Sequence, residues 1–443
     1  MDARETALLT LNACQRQGGW SDSILKKQLA AAGLDSRDAA LATQLCFGVL
    51  QNQLLLDFYL SRFSNISLSR MEGKVIQALR LGAYQMLFLD RIPHSAAVNS
   101  AVELTKKLCK NPRAAGMVNG ILRSLERSLN RLPAIPNHDP VSYLSILYSH
   151  PEWLVKEFCM TYGTEEGARL LAADNCQPPM TVMVNPLRTE AGRLAEELAG
   201  QGVEAVPHPW LEDCLTLSRT GDLERLDAFQ RGLFYVQDPA SRLAVEAAGA
   251  APGMRVLDCC AAPGGKSFAA AIAMKNRGEI LSCDIHPHKK KLIQAGADRL
   301  GLDIIAPAVA DGSVFRPEWE GAFDLVLVDA PCSGLGVIRK KPDIRYKDPG
   351  QLEGLPAVQR RILANAARYV RPGGTLLYST CTLLRAENEE VVRWFLHERT
   401  DFKAKGFTLP GPAGAIPGGM TTLLPHRHGT DGFFICRMER ENG

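Results

Sequence analysis

Two short stretches place a thiol where it could do covalent chemistry. Asp329-Ala330-Pro331-Cys332 closes the apolar run 325–328, and Thr380-Cys381 closes a second run at 375–379. If both runs are strands of one sheet, both sulfurs project from strand ends into one crevice. There a thiolate could add to an electrophilic carbon, and Asp329 could hold or give a proton. A free cysteine is ordinarily a small inert hydrophobe, the reading given to Cys46 and Cys214; the polar loop around Cys332 weakens that reading here. Spacing alone leaves the roles of Cys332 and Cys381 interchangeable.

Upstream, Val256-Leu257-Asp258-Cys259-Cys260-Ala261-Ala262-Pro263-Gly264-Gly265-Lys266-Ser267 reads as a buried strand, a glycine-rich turn and a helix start. Glycines let the backbone approach a ligand closely. A phosphate-binding P-loop needs a glycine five positions before Gly265, where this chain has Cys260. Twenty residues after Gly264, Asp284 stands where a carboxylate can bind both hydroxyls of a ribose, and Asp311 ends a third strand where it could meet an adenine amino group. Each could equally cap a helix; together they describe a nucleoside pocket without a phosphate cradle. Lys266 either orients Asp329, polarises a base, or is a structural lysine at a helix start. His286 and His288, amid Lys289, Lys290 and Lys291, read as a solvated helix start rather than a metal site, because no thiol or carboxylate cluster accompanies them.

The elements that must position these groups are legible as pattern. Beyond residue 250, candidate strands at 255–259, 280–284, 304–310, 323–329, 375–379 and 433–438 alternate with helices after Lys266 and at 288–300, 358–369 and 387–396. The succession predicts an α/β domain over 246–443, a doubly wound, mostly parallel, Rossmann-like sheet with its ligands at the carboxyl ends of the strands. A Pro/Gly-rich stretch at 410–419 reads as a loop. Residues 145–245 read as a small α/β unit, either a spacer or an RNA-contacting surface. Residues 1–140 read as all-helical: Leu8 and Leu11, Leu41 and Leu45, Val75, Leu79 and Met86 recur at helical spacing. Gly18-Gly19, Gly33, Pro93 and Pro112 break that segment into several helices, and residues 132–140 read as a linker.

Residues 1–140 hold 17 Lys and Arg against 11 Asp and Glu, an excess within a chain of net charge +3. Lys106, Lys107, Lys110, Arg113, Arg123, Arg127 and Arg131 form its densest cationic run, suited to backbone phosphates. Arg339, Lys340, Lys341, Arg345 and Lys347, just past Cys332, are expected to touch RNA as well. With 443 residues, 46% hydrophobic and 22% charged, the composition is globular and excludes collagen, coiled coil and disordered classes. No apolar run reaches the ~18 residues of a membrane span, the start lacks the plan of a signal peptide, and the 12 cysteines show no C-x-x-C pairing. The expectation is a cytoplasmic monomer in a reducing compartment, without metal.

The stretches Asp258 to Lys266, Asp329 to Cys332 and Thr380-Cys381, with Gln237-Asp238-Pro239-Ala240-Ser241 before the glycine turn, resemble the RNA cytosine-C5 methyltransferases of the Sun family. Arg80-Leu81-Gly82-Ala83-Tyr84-Gln85, Ile92-Pro93 and Val118-Asn119-Gly120-Ile121-Leu122-Arg123 are similar to NusB, the helical RNA-binding fold that begins the subfamily acting on 16S ribosomal RNA. The resemblance implies S-adenosylmethionine lying over Cys260, Ala261, Ala262, Pro263, Gly264, Gly265 and Lys266, with Asp284 on its ribose, Asp311 near its adenine and Asp329 lining the reaction site. It implies Cys381 as nucleophile and Cys332 as the group assisting product release, the reverse of the DNA cytosine methyltransferases. The implied reaction is methylation of carbon 5 of a cytosine in 16S ribosomal RNA, free or in a small-subunit assembly intermediate, through a covalent adduct at carbon 6. The alternatives are a tRNA cytosine-C5 methyltransferase and a non-catalytic RNA-binding ribosome assembly factor. Methylation of an exocyclic amino group would need an (Asp/Asn)-Pro-Pro-aromatic loop, where this chain has Asp329-Ala330-Pro331-Cys332.

Overall fold

A computed structural model describes residues 1–17 and 21–442; the break at Gly18-Gly19 lies outside the described residues. The chain divides into two compact units. One comprises Met1–Cys176 together with Ile338–Lys347, the other Gln177–Val337 with Asp348–Gly443. In this division the helices at Pro140–Tyr148, Glu152–Tyr162 and Thr164–Ala173 group with the first unit.

The first unit is helical. Its core gathers Leu8, Leu11, Leu45, Val75, Leu79, Met86, Val98 and Leu122, and the helix Gly73–Phe88 at its centre is buried from Val75 through Met86. Burial on every side forces its polar residues to find partners: Arg80 donates from both Nε and Nη2 to the Asp57 carboxylate at 2.8 and 2.7 Å. Side-chain caps start two helices. Asp35 accepts from the Asp38 backbone N–H and Asp139 from those of Val141 and Ser142, satisfying donors that the first turn leaves open.

Ile338–Lys347 is an integral part of this unit. Arg345 is fully buried, and its guanidinium donates to the carbonyls of Gln51, Tyr148, Ser149 and Asp174 and to Asn175 Oδ1. Tyr346 donates to the Leu50 and Ser149 carbonyls, and Asp343 accepts from the Ser21 backbone and hydroxyl.

The second unit holds two main sheets. The smaller is antiparallel, formed by β1 (Met180–Val184), β2 (Glu204–Pro207), β3 (Cys214–Ser218) and β4 (Phe234–Val236) in the order β2-β3-β1-β4, with the helix Ala191–Gly200 packed on it. The larger contains β5 (Arg255–Asp258), β6 (Glu279–Asp284), β7 (Ile305–Val309), β8 (Phe323–Asp329) and β9 (Val370–Thr380). It is completed by β10 (Phe402–Ala404), β13 (Met420–Leu423) and β14 (Phe433–Arg440). Its order is β10-β14-β9-β8-β5-β6-β7, parallel from β7 to β9 and antiparallel where β14 joins β9. The expected strands and helices of this sheet are present. The order reverses between β5 and β8, so the crevice opens at the carboxyl ends of those strands. The Pro/Gly-rich stretch is more regular than a loop: β11 (Phe407–Leu409) and β12 (Gly414–Ile416) form a hairpin there.

Candidate active site

The turn after β5 begins with Asp258, whose carboxylate accepts from the Ser267 hydroxyl at 2.7 Å; Ser282 donates in turn to Ser267. Complete burial raises the Asp258 pKa to about 6 despite that hydrogen bond. Gly264 has φ +115, and a Cβ there would meet the Phe268 ring at 2.4 Å, so only glycine fits. Gln237 lies against Gly265, and its Oε1 is buried with no partner among the described residues. A glycine turn stripped of side chains and an unused buried acceptor fit a ligand resting on the backbone of residues 260–266.

Asp284 closes β6, 7% exposed. Its Oδ1 accepts from the His286 backbone at 2.9 Å, and Oδ2 stands 3.5 Å from Lys289 Nζ. Asp311 comes after β7; its Oδ1 accepts from both the hydroxyl and the backbone of Ser313, which holds the carboxyl below its usual range. Each carboxylate thus also organises its own turn. Among the described residues no cluster of three or more His, Cys, Asp or Glu side chains could hold a metal ion.

At the ends of β8 and β9 the expected groups converge. Lys266, largely buried, donates to Asp329 Oδ2 at 2.7 Å and lies 3.4 Å from Ser241 Oγ and 4.9 Å above the Phe433 ring. Ser379 donates to Asp329 Oδ1 at 2.9 Å. The Sγ atoms of Cys332 and Cys381 are 3.3 Å apart. Their environments differ. The contact between them, then burial, pushes the Cys332 thiol well up, with Glu387 adding to the effect. The contact with Cys332 lowers Cys381 against its burial and the nearby Asp329 carboxylate, and Lys266 acts in the same downward sense. The pair thus favours the charged form at Cys381 over that at Cys332. Burial drives Cys46, Cys214, Cys259 and Cys260 the other way.

A buried carboxylate that carried no signal in the sequence ties the two cysteine loops together. Glu387 Oε2 accepts from the Ser333 backbone at 2.9 Å and from Gln359 Nε2 at 2.8 Å, while Oε1 accepts from Thr382 Oγ1 at 3.3 Å. Gln359 also donates to the Pro331 carbonyl, and Asn388 accepts from Thr380 and donates to the Thr382 carbonyl. Gly336 must be glycine for a similar reason: its N–H donates to the Cys381 carbonyl and its own carbonyl accepts from Gly432, where a Cβ would strike the Gly432 backbone.

One expected contact surface is corrected. Arg345 and Arg339 are 0% and 8% exposed, and Arg345 is consumed largely by backbone carbonyls, so these two arginines of the run 339–347 do not face RNA, whereas Lys341 is exposed and Lys340 and Lys347 are half-buried. In the helical unit, Lys107 pairs with Glu5, Lys106 with Glu103 and Arg123 with Glu126, which leaves the cationic run less open than its sequence suggests.

Three families match the chain: 16S rRNA methyltransferase RsmB/F at residues 249–439, the NusB family at 1–127, and the RsmF/B-like ferredoxin-like domain at 150–224. The chain is 40% identical to a probable ribosomal RNA small subunit methyltransferase B of Bacillus subtilis, over 99% of this chain and 98% of that protein. It is 32% identical to the ribosomal RNA small subunit methyltransferase B of Pseudomonas syringae pv. tomato, over 99% and 97%. Among solved structures, that of PH0851 matches with a TM-score of 0.81 at 26% identity, covering 99% of both chains. A methyltransferase homologue from Pyrococcus horikoshii matches with a TM-score of 0.57 at 26% identity, over 67% of this chain and 97% of that one.

Proposed function

The chain belongs to the 16S rRNA methyltransferase RsmB/F family, and from that premise we propose that it methylates carbon 5 of a cytosine in 16S ribosomal RNA through a covalent adduct on Cys381. The observation that supports this reading most is the asymmetric thiol pair beside Lys266 and Asp329. Bound S-adenosylmethionine supplies an electrophilic methyl group. The residues proposed to hold it are 260–266, Asp284 and Asp311, with Asp329 at its reactive end.

Carbon 5 of cytosine is too weak a nucleophile to accept a methyl group unaided. Addition of the Cys381 thiolate to carbon 6 makes the 5 position enamine-like. Negative charge then develops on the ring, and Asp329, oriented by Lys266 and Ser379, holds the proton at N3 that neutralises it. After transfer, the carbon 5 proton must leave before the bond to Cys381 can break, and Cys332 stands beside that sulfur to assist. The basic excess of the helical unit supplies phosphate contacts to the same RNA.

The two cysteines are separated by experiment. Cys381→Ala abolishes transfer of labelled methyl and leaves cofactor binding nearly intact. Cys332→Ala retains the attacking thiol and accumulates methylated RNA attached to protein, seen as a slow band on a denaturing gel that requires both RNA and S-adenosylmethionine. The band is absent from the double alanine variant. Accumulation in Cys381→Ala instead would exchange the roles.

A further inference from the structure

The helix Leu355–Tyr369 turns Gln359 inward to the Pro331 carbonyl and to Glu387, and its next face outward into an open groove of about 650 Å³ lined by Glu353, Pro356, Ala357, Arg360, Arg361 and Trp394. Trp394 belongs to the helix Glu389–Glu398, which begins two residues after Glu387. The Arg360 guanidinium carbon lies 5.3 Å from the centre of the Trp394 ring, while its Nε is buried with no hydrogen-bond partner. Among the described residues neither Arg360 nor Arg361 forms an ion pair, although Glu353 lies in the same groove. An indole face with two guanidiniums outside any ion pair, one over the indole and the other near enough to Asp311 to lower its pKa, opposed by one carboxylate, matches an aromatic ring joined to an anion. A nucleotide has that chemistry: its base stacks on aromatic or guanidinium planes and its phosphate takes a guanidinium fork.

We propose that this groove binds an unpaired nucleotide of the RNA substrate, one that flanks the target cytosine, with its base on Trp394 and Arg360 and its phosphate on Arg361. The inference rests on the reading of the chain as an RNA methyltransferase. It places substrate recognition on the outer face of the two helices whose inner residues, Gln359 and Glu387, hold the cysteine loops.

The test uses the full chain and a short, labelled, single-stranded oligoribonucleotide of mixed sequence. Arg360→Gln with Arg361→Gln should weaken binding about tenfold and reduce the log-log salt slope by about 0.7 for each phosphate no longer neutralised, and Arg360→Gln alone should weaken RNA binding with affinity for S-adenosylmethionine unchanged. Trp394→Leu should weaken binding at least about fivefold, as removal of one stacking platform does, with the salt slope unchanged. Unchanged RNA affinity in both variants overturns the proposal. An effect of the arginines without one of Trp394 replaces the nucleotide with a bare anion and overturns it also. Intact binding of naked RNA with impaired methylation of subunit particles would assign the groove to a ribosomal protein instead. If the wild-type chain transfers no methyl group to RNA while the variants still lose RNA affinity, the activity reading fails and the groove stands.

Discussion

If Cys332 donates in its 3.3 Å contact with Cys381, the consequence has a sign that can be measured. A donor favours the charged thiolate, so its removal in Cys332→Ala raises the Cys381 pKa. Hydrogen bonds to charged groups are worth ~1.5–3 kcal/mol and one pKa unit is ~1.4 kcal/mol. The midpoint of Cys381 alkylation by iodoacetamide, monitored by peptide mass spectrometry, should therefore move alkaline by about one unit or more. An unmoved midpoint would remove Cys332 as the donor. Asp258 offers a second titration, of opposite consequence to a salt-bridged aspartate. Its folded pKa of about 6 lies above the ordinary value, so the folded state binds the extra proton. The burial penalty is absent below the unfolded pKa and grows to about 3 kcal/mol as pH rises to the folded one, remaining above it. Asp258→Asn should flatten the fall in melting temperature between roughly pH 4 and 6. A slope equal to that of wild type would place the pH dependence elsewhere.

At the scale of elements, Glu387 is a positioning residue for two loops. Glu387→Ala removes the acceptor shared by the Ser333 N–H, Gln359 and Thr382, at ~1–3 kcal/mol for a buried group left unpaired, while Gln359 keeps the Pro331 carbonyl and Thr382 keeps Ser333 Oγ. The expected outcome is a fall in kcat of at least about tenfold with unchanged affinity for S-adenosylmethionine; equal kcat would reduce Glu387 to a structural role. The sequence makes the strand-end groups legible because parallel strands buried on both faces appear as apolar runs such as 325–328, and the residues just past each run must lie at the crevice. Glu387, Gln359 and Asn388 are not legible in this way. They occur in or beside helical segments where polar residues are ordinary; Glu387 and Gln359 are fixed by contacts 28 and 54 residues distant in sequence, and Asn388 by the loop just before it. Strands β2 and β4, of four and three residues, are too short for alternation to register. Arg345 misleads for the opposite reason: a basic run signals solvent, but a guanidinium with five donors can also be sealed inside by backbone carbonyls.

In the whole molecule, Arg345 is the group on which the helical unit depends from a distance in sequence. Arg345→Ala leaves several buried carbonyls unsatisfied and should destabilise the unit by roughly 3–5 kcal/mol. Calorimetry of the full chain should show an earlier unfolding transition, with Arg345→Lys intermediate; an unchanged thermogram would mean that water replaces the guanidinium without cost. Removal of residues 1–140 is for the same reason a poor test of RNA binding, because it strips Ile338–Lys347 of its surroundings. The same feature fixes an order in time. A ribosome completes Cys176 long before Lys347, and at ~5–20 residues per second the interval is roughly 10–30 s. Throughout that interval the carbonyls of Gln51, Tyr148, Ser149 and Asp174 lack the cation that satisfies them in the finished chain. The amino-terminal unit therefore reaches its final stability only after the segment carrying Cys332 has itself been made, so a truncated translation product that stops short of residue 345 lacks the cation that completes its helical unit.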